Sequence, residues 1–171
     1  MEVLLSPLDF ENIDTQVHAW MDARGIAYEV MPCDPDLADT AQFCEHYGIA
    51  PAASGNTIVV ATKKEPKDYV ACVVAATSKL DVNKRVRKLM GARKVSFASA
   101  DETRDLTGML IGGVTIFALP DQLPIYVDRP LMDLEYIWVG GGSRSSKLKL
   151  RPTELHKVPN LEFIEDLGIA F

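Results

Sequence analysis

The feature that most constrains this chain is a pair of apolar runs joined by one charged turn. Residues 57–62 (TIVVAT) and 69–76 (YVACVVAA) are apolar at nearly every position, and KKEPKD lies between them. A strand with one solvated face alternates polar and apolar residues, whereas a strand apolar on both faces must be covered on both. The sequence is therefore expected to fold in layers around this hairpin, with helices as cover. Its 171 residues, 47% hydrophobic and 25% charged, suffice for one domain over residues 1–171. No run approaches the roughly 18 apolar residues of a membrane span.

The flanking segments supply candidate layers. Ile13, Val17, Trp20 and Met21 are at helical spacing over 13–24, with Gly25 as a stop. Residues 26–31 read as a strand ended by Pro32 and a Cys33-Asp34-Pro35 turn. Thr40 or Asp39 can cap a second helix running to Gly48. The pattern predicts a helix from Leu80 to Met90, with Lys84, Arg85, Arg87 and Lys88 facing out and Gly91 closing it. A short strand at 94–98 precedes a helix for which Ser99 and Glu102 form a capping box. Strands are expected at 109–118, 124–128 and 136–140. KLKL at 147–150 alternates as an edge strand would, and Pro152-Thr153-Glu154 opens a last helical turn. The tail from Leu161 to Phe171 is apolar enough to pack on the chain's own core or on a partner. The fold class is α/β (α+β), with a central mixed or antiparallel sheet flanked by helices.

Charge is unevenly placed. Residues 1–62 hold ten acids and one base, whereas residues 63–94 hold ten bases and three acids, in a chain of net charge −6. The overall sign disfavours non-specific nucleic-acid binding, and neither DNA nor a membrane is an expected partner. The basic block reads either as a phosphate-contacting patch or as a solvated face paired with the acidic N-terminal third. Cys33, Cys44 and Cys72 are odd in number and far apart, which points to reduced thiols and a cytoplasmic address. The N-terminus lacks the basic start of a secretory signal. His18, His46 and His156 lie on separate elements, so neither a metal site nor a cofactor is expected. G-x-S-x-G, Walker A and G-x-G-x-x-G patterns do not occur.

Glycine clusters mark the candidate chemistry. Thr107 to Phe117 places Gly112 and Gly113 inside an apolar run, where glycine marks a bulge or a close approach to backbone or ligand. Gly140-Gly141-Gly142-Ser143-Arg144 can either turn tightly or point backbone N–H groups into an anion-binding concavity. Asp128 ends the run Tyr126-Val127-Asp128 before Arg129-Pro130, as a turn cap or a site carboxylate.

Taken in order, these markers resemble the YbaK/prolyl-tRNA synthetase-associated (INS-like) editing domains. The markers are G-I-x-Y-E-V (Gly25 to Val30), Thr40-Ala41 to Gly48-Ile49, the paired apolar strands and the basic helix ending at Gly91. After these come T-G-x-x-x-G-G-V (Thr107 to Val114), Tyr126 to Asp128, and Gly142-Ser143-Arg144. The resemblance covers residues 13–158. It implies a single α/β domain that hydrolyses mischarged aminoacyl-tRNA, holding the terminal adenosine over a small amino-acid pocket. In that family a G-x-x-x-P loop offers backbone N–H groups to the ester carbonyl, and a lysine at the start of the first long strand positions the substrate.

This sequence departs from the family at both places. Asn56 stands where the resemblance places the lysine, and Ile116 where it places the proline. Asparagine donates hydrogen bonds without charge, and isoleucine leaves φ unfixed. Lys147 and Arg144 are the cations that could reach the site from another strand. The resemblance implies a catalytic set of Asn56, Gly112, Gly113, Val114 and Thr115. Ile116, Asp128, Gly142, Ser143 and Arg144 would line the substrate subsites, and Lys84, Arg85, Arg87 and Lys88 would meet the acceptor stem. The leading expectation is a trans-editing deacylase for tRNA carrying a small amino acid. The alternative is a catalytically silent module that binds tRNA or a synthetase. A small-molecule hydrolase or ligand-binding protein on the same fold is a third.

Overall fold

A computed structural model describes residues 12–171. The apolar hairpin is β2 (Gly55–Thr62) and β3 (Tyr69–Ala75), paired antiparallel from Gly55↔Ala75 to Ala61↔Tyr69. It lies at the centre of a five-stranded mixed sheet. β5 (Val95–Phe97) joins β2 antiparallel, β6 (Ile125–Asp128) joins β3 parallel, and β9 (Leu161–Ile164) joins β6 parallel. A second, antiparallel sheet has the order β1 (Glu29–Pro32), β8 (Ser146–Leu150), β7 (Ile137–Gly140). A small ribbon pairs β4 (Ser78–Leu80) with β10 (Gly168–Ala170).

Both faces of the hairpin are covered, as its composition requires. Ala71 and Val73 point into a core shared with Val17 and Met21 of α1 (Ile13–Ala23) and with Val139, Leu148 and Leu150 of the second sheet. Val70, Cys72 and Val74 point the other way, onto Val82, Val86, Ile164 and Leu167. The alternation of β3 is therefore real, but both sets of positions are apolar because two cores meet across it. α2 (Thr40–Tyr47) packs Phe43 and Cys44 against Cys33 and Ala38 in a smaller cluster and ends at Gly48, whose φ of +69° is left-handed.

Several local expectations are corrected. Residues 109–118 form no strand. Gly108 and Gly112 take φ of +77° and +92°, Gly113 N–H closes a turn on Leu110 O at 2.9 Å, and Val114 to Leu119 run on as a buried loop. Continuous apolarity fixed the burial of this segment, but positive φ at the glycines broke its extension. The segment from Leu80 to Met90 is not one helix. Leu80 pairs with Gly168 in the ribbon, Asp81 caps a π-type turn at Val82–Val86, and only Arg87–Met90 is α-helical (α3). β8 is central rather than an edge, flanked by β1 and β7. The tail packs on the chain's own core, as β9 and β10.

The capping box is present. Ser99 caps α4 (Ala100–Thr107), and the Glu102 carboxylate accepts Ser99 N–H, Lys67 Nζ and Tyr69 OH, each at 3.1 Å. These donors, Ser99 first, hold its pKa down to about 2 from 4.5. A carboxylate depressed on folding adds stability above its unfolded pKa and loses it as pH falls towards the folded one. Urea denaturation from pH 6 to pH 2 is expected to show stability falling below about pH 4.5, with a shallower fall in Glu102→Gln. An equal slope in the variant would remove Glu102 from the acid sensitivity.

Candidate functional site

The cleft of interest opens where α2, the start of β2 and the glycine turn converge. It encloses about 720 Å³. Asp39, Thr40, Cys44 and Glu45 form the α2 wall, and Asn56, Ala76 and Ser78 come from the central hairpin and β4. Ile111 and Gly112 close it opposite, and Phe171 lies at the rim. Asp39 and Glu45 are the charged side chains that line it, so the cleft is acidic.

Two cations hold the glycine turn from behind. Arg144 donates from Nη1 to Ile111 O at 2.7 Å and to Asp39 Oδ1 at 3.0 Å, and from Nε to Pro35 O at 3.0 Å. Lys147 is buried, and its Nζ donates to Ala38 O at 2.6 Å and Gly112 O at 2.8 Å. Asp39 occupies the N-cap position of α2 without capping it, because its carboxylate turns to Arg144 instead. Burial pushes the Lys147 pKa below its ordinary value; nearby Cys33 opposes this and Arg144 adds to it. The Cys33 thiol is pushed up, chiefly by burial, which disfavours the nucleophilic thiolate.

The clamp orients a peptide plane. In a trans peptide, C=O and N–H point in opposite directions. Arg144 binds the carbonyl of the Ile111–Gly112 peptide, so Gly112 N–H points away from that guanidinium. Glycine is required there twice over: φ is +92°, and a Cβ would collide with the Arg144 guanidinium.

Asn56, Gly112 and Arg144 are brought together around this cleft. Gly113 and the cluster Gly140 to Gly142 pack backbone on backbone. Gly142 N–H donates to Gly113 O at 2.7 Å, and a Cβ on Gly113 would meet the Ser143 backbone. The triple glycine thus serves a close approach between chain segments. Ser143 faces α1, with its N–H and Oγ donating to Asp14 at 3.0 and 2.8 Å. Val114, Thr115 and Ile116 are buried behind the turn and do not line the cleft. Asp128 is buried too. Burial raises its pKa, which the backbone N–H groups of Gly168, Leu167 and Arg129 nearby oppose, and its Oδ2 lies against Gly168 of β10.

Lys84, Arg87 and Lys88 are exposed, while Arg85 is tethered by Nε to Glu165 O at 2.9 Å. Among the described residues, the ion pair of the basic block is Lys67 with Glu102, outside the acidic N-terminal third. Sequence reasoning missed the acidic wall of Asp39 and Glu45. In sequence Asp39 reads only as an N-cap candidate for α2, which does not point to a cleft wall.

The mixed sheet and cleft define an α/β fold of the editing-domain type. The aminoacyl-tRNA editing domain family matches residues 34–158, and the chain belongs to that family. YwhH of Bacillus subtilis is 28% identical over 127 residues, 74% of this chain and 78% of that protein. EbsC of Enterococcus faecalis, a candidate Cys-tRNA(Pro)/Cys-tRNA(Cys) deacylase, is 27% identical over 131 residues, 76% of this chain and 77% of that protein. The crystal structure of hypothetical protein APE2540 superposes with a TM-score of 0.80 at 26% identity, covering 90% of this chain and 99% of that one. A candidate trans-editing enzyme for prolyl-tRNA synthetase shares the fold, with a TM-score of 0.77 at 22% identity, covering 89% and 94%. Among the described residues, no helix is long and apolar enough to cross a membrane.

The clamp generates a thermodynamic prediction. Gly112→Ala should destabilise by about 2 kcal/mol through strain and expulsion of Arg144, and Arg144→Ala by a similar amount. The double variant should cost less than their sum by about 1 kcal/mol, because the collision disappears with the guanidinium. Additive values in urea denaturation would show that the two sites are uncoupled.

Proposed function

We propose that this protein is a trans-editing deacylase that hydrolyses the ester of tRNA mischarged with a small amino acid. The observation that carries the reading is the Gly112 turn, held by Arg144 and Lys147 at the edge of a small acidic cleft. An aminoacyl ester presents a carbonyl that needs a hydrogen-bond donor and an α-ammonium that needs an anion. Gly112 N–H would serve the first, with Glu45 attracting the second, since Asp39 is already paired with Arg144. Asn56 would orient the ester or the ribose through its carboxamide. Arg144 and Lys147 act one step removed, as positioning residues for the turn.

The chemistry needs no protein nucleophile. Water oxygen attacks the ester carbonyl, the oxyanion is stabilised at the turn, and the carbon–ribose oxygen bond breaks. The proton lost by water ends on the ribose oxygen, releasing the amino acid and tRNA with a free terminal hydroxyl. Positioning and backbone stabilisation suffice for an activated ester. The substrate named for EbsC directs the panel towards cysteinyl esters first, then alanyl and seryl ones. A silent tRNA- or synthetase-binding module is the second reading, favoured by Asn56 and Ile116 standing where the resemblance places lysine and proline.

Deacylation of cysteinyl-, alanyl- and seryl-tRNA(Pro) by the wild-type protein should exceed the uncatalysed rate, and Lys147→Met should lower kcat/KM by about 100-fold by releasing the turn. Activity found only in Asn56→Lys would favour the silent module. An unchanged rate in Lys147→Met would separate the clamp from catalysis.

A further inference from the structure

We propose that a second cleft, at the opposite end of β2 from the catalytic one, holds the phosphate backbone of the RNA. It rests on the deacylase reading only in taking tRNA as that RNA.

The catalytic cleft cannot anchor a polyanion by charge. Asp39 and Glu45 line it, and the two cations beside it are committed to carbonyls and to Asp39. Anchoring has to come from elsewhere on a protein of net charge −6. The β2–β3 turn and the loop from α3 to β5 enclose about 930 Å³. Lys63, Lys64, Arg93 and Lys94 line it, with Glu65 and Asp68 as the acids on the same walls. The four cations are exposed, and among the described residues none of their side chains forms an ion pair or hydrogen bond. Unpaired cations held close together are a state that an incoming polyanion relieves.

The walls are held in place before any ligand arrives. Lys63 N–H donates to Lys94 O at 3.1 Å, which sets the two lysine backbones side by side. Thr62 N–H donates to Asp68 O at 2.9 Å, and Asp68 N–H to Thr62 Oγ1 at 2.8 Å, closing the base of the turn. The Lys67–Glu102 pair at 3.1 Å ties the same turn to α4. With the backbone of both walls held, the four cations are carried around one cleft before any ligand arrives. Asn56 and Thr62 stand at opposite ends of one extended strand, about 20 Å apart at roughly 3.3 Å per residue. An RNA strand whose terminal ester sits at Gly112 can therefore lay phosphates across the second cleft.

The contacts are to backbone phosphate, not to bases: the walls offer point charges and no exposed aromatic ring. Binding should be strongly dependent on salt and weakly dependent on sequence.

The test is binding of uncharged tRNA to the full chain between 50 and 300 mM salt, wild type against Lys63→Ala/Lys64→Ala/Arg93→Ala/Lys94→Ala. Arg151→Ala, just after β8, is the control. Losing four phosphate contacts should reduce the slope of log K against log salt by about 3, at roughly 0.7 to 0.9 per contact, with the melting temperature unchanged. For hydrolysis, kcat/KM should fall at least tenfold on full-length aminoacyl-tRNA and stay level on an aminoacylated oligonucleotide limited to the 3′ end. An unchanged slope, a slope equally reduced in the control, or competition by polyglutamate equal to that by RNA would overturn the assignment. Cleft-dependent tRNA binding with no hydrolysis of any ester would count against the deacylase reading alone. Hydrolysis without cleft dependence would count against this inference alone.

Discussion

Burying both faces of one hairpin is the constraint from which the architecture follows. β2 and β3 offer no polar face to water, so each side must find a separate apolar layer. α1 and the second sheet supply one; the Val82–Val86 turn, Ile164 and Leu167 supply the other. With the hairpin fixed in the middle, the two clefts open near its opposite ends. The candidate cleft lies at the Asn56 end, and the basic cleft lies at the Lys63 end. A rigid strand between two loop-built sites is a common way to hold function on a stable frame.

Within that frame, the site depends on Lys147. A buried ammonium costs several kcal/mol unless its donors are satisfied. Here the acceptors are carbonyls of Ala38, just before α2, and Gly112, in the glycine turn. One side chain thus links three segments far apart in sequence, and Arg144 duplicates the link through Pro35, Asp39 and Ile111. The expense of desolvating Lys147 makes sense as shape control, since moving the turn would strand both the amine and a carbonyl.

What the sequence made legible was local. Gly25, Gly48 and Gly91 stop helices where expected, and Ser99 with Glu102 forms its box, because these signals act within a few residues. The hairpin was legible from apolarity alone. The 109–118 segment was not, because an apolar run without period fixes burial but not backbone conformation. β9 and β10 are four and three residues long and gain their stability from partners far away in sequence, which no short window contains. KLKL misled for a related reason. Alternating lysines imply water on one side, yet Lys147 faces carbonyls contributed by residues 38 and 112. Asn56 and Gly112 were within reach of motif reasoning. The acidic wall was not, because Asp39 reads as a helix cap until Arg144 is seen to claim it.

The two departures from the family pattern then have a common physical reading. A proline in the loop would preset its shape through φ, and a lysine at the strand entrance would bring positive charge to the front of the cleft. In this chain, shape is imposed from behind, by donors to the carbonyls of Ile111 and Gly112, and positive charge is withdrawn from the cleft wall. A loop restrained through its carbonyls no longer needs a ring to fix φ, which leaves position 116 free to be a core residue, as the burial of Ile116 shows. An acidic front favours a cationic amino group but repels phosphate. Under the proposed deacylase reading, the change that suits an aminoacyl end would leave the holding of nucleic acid to cations elsewhere, and the unpaired lysines and arginine at the far end of β2 are placed for it.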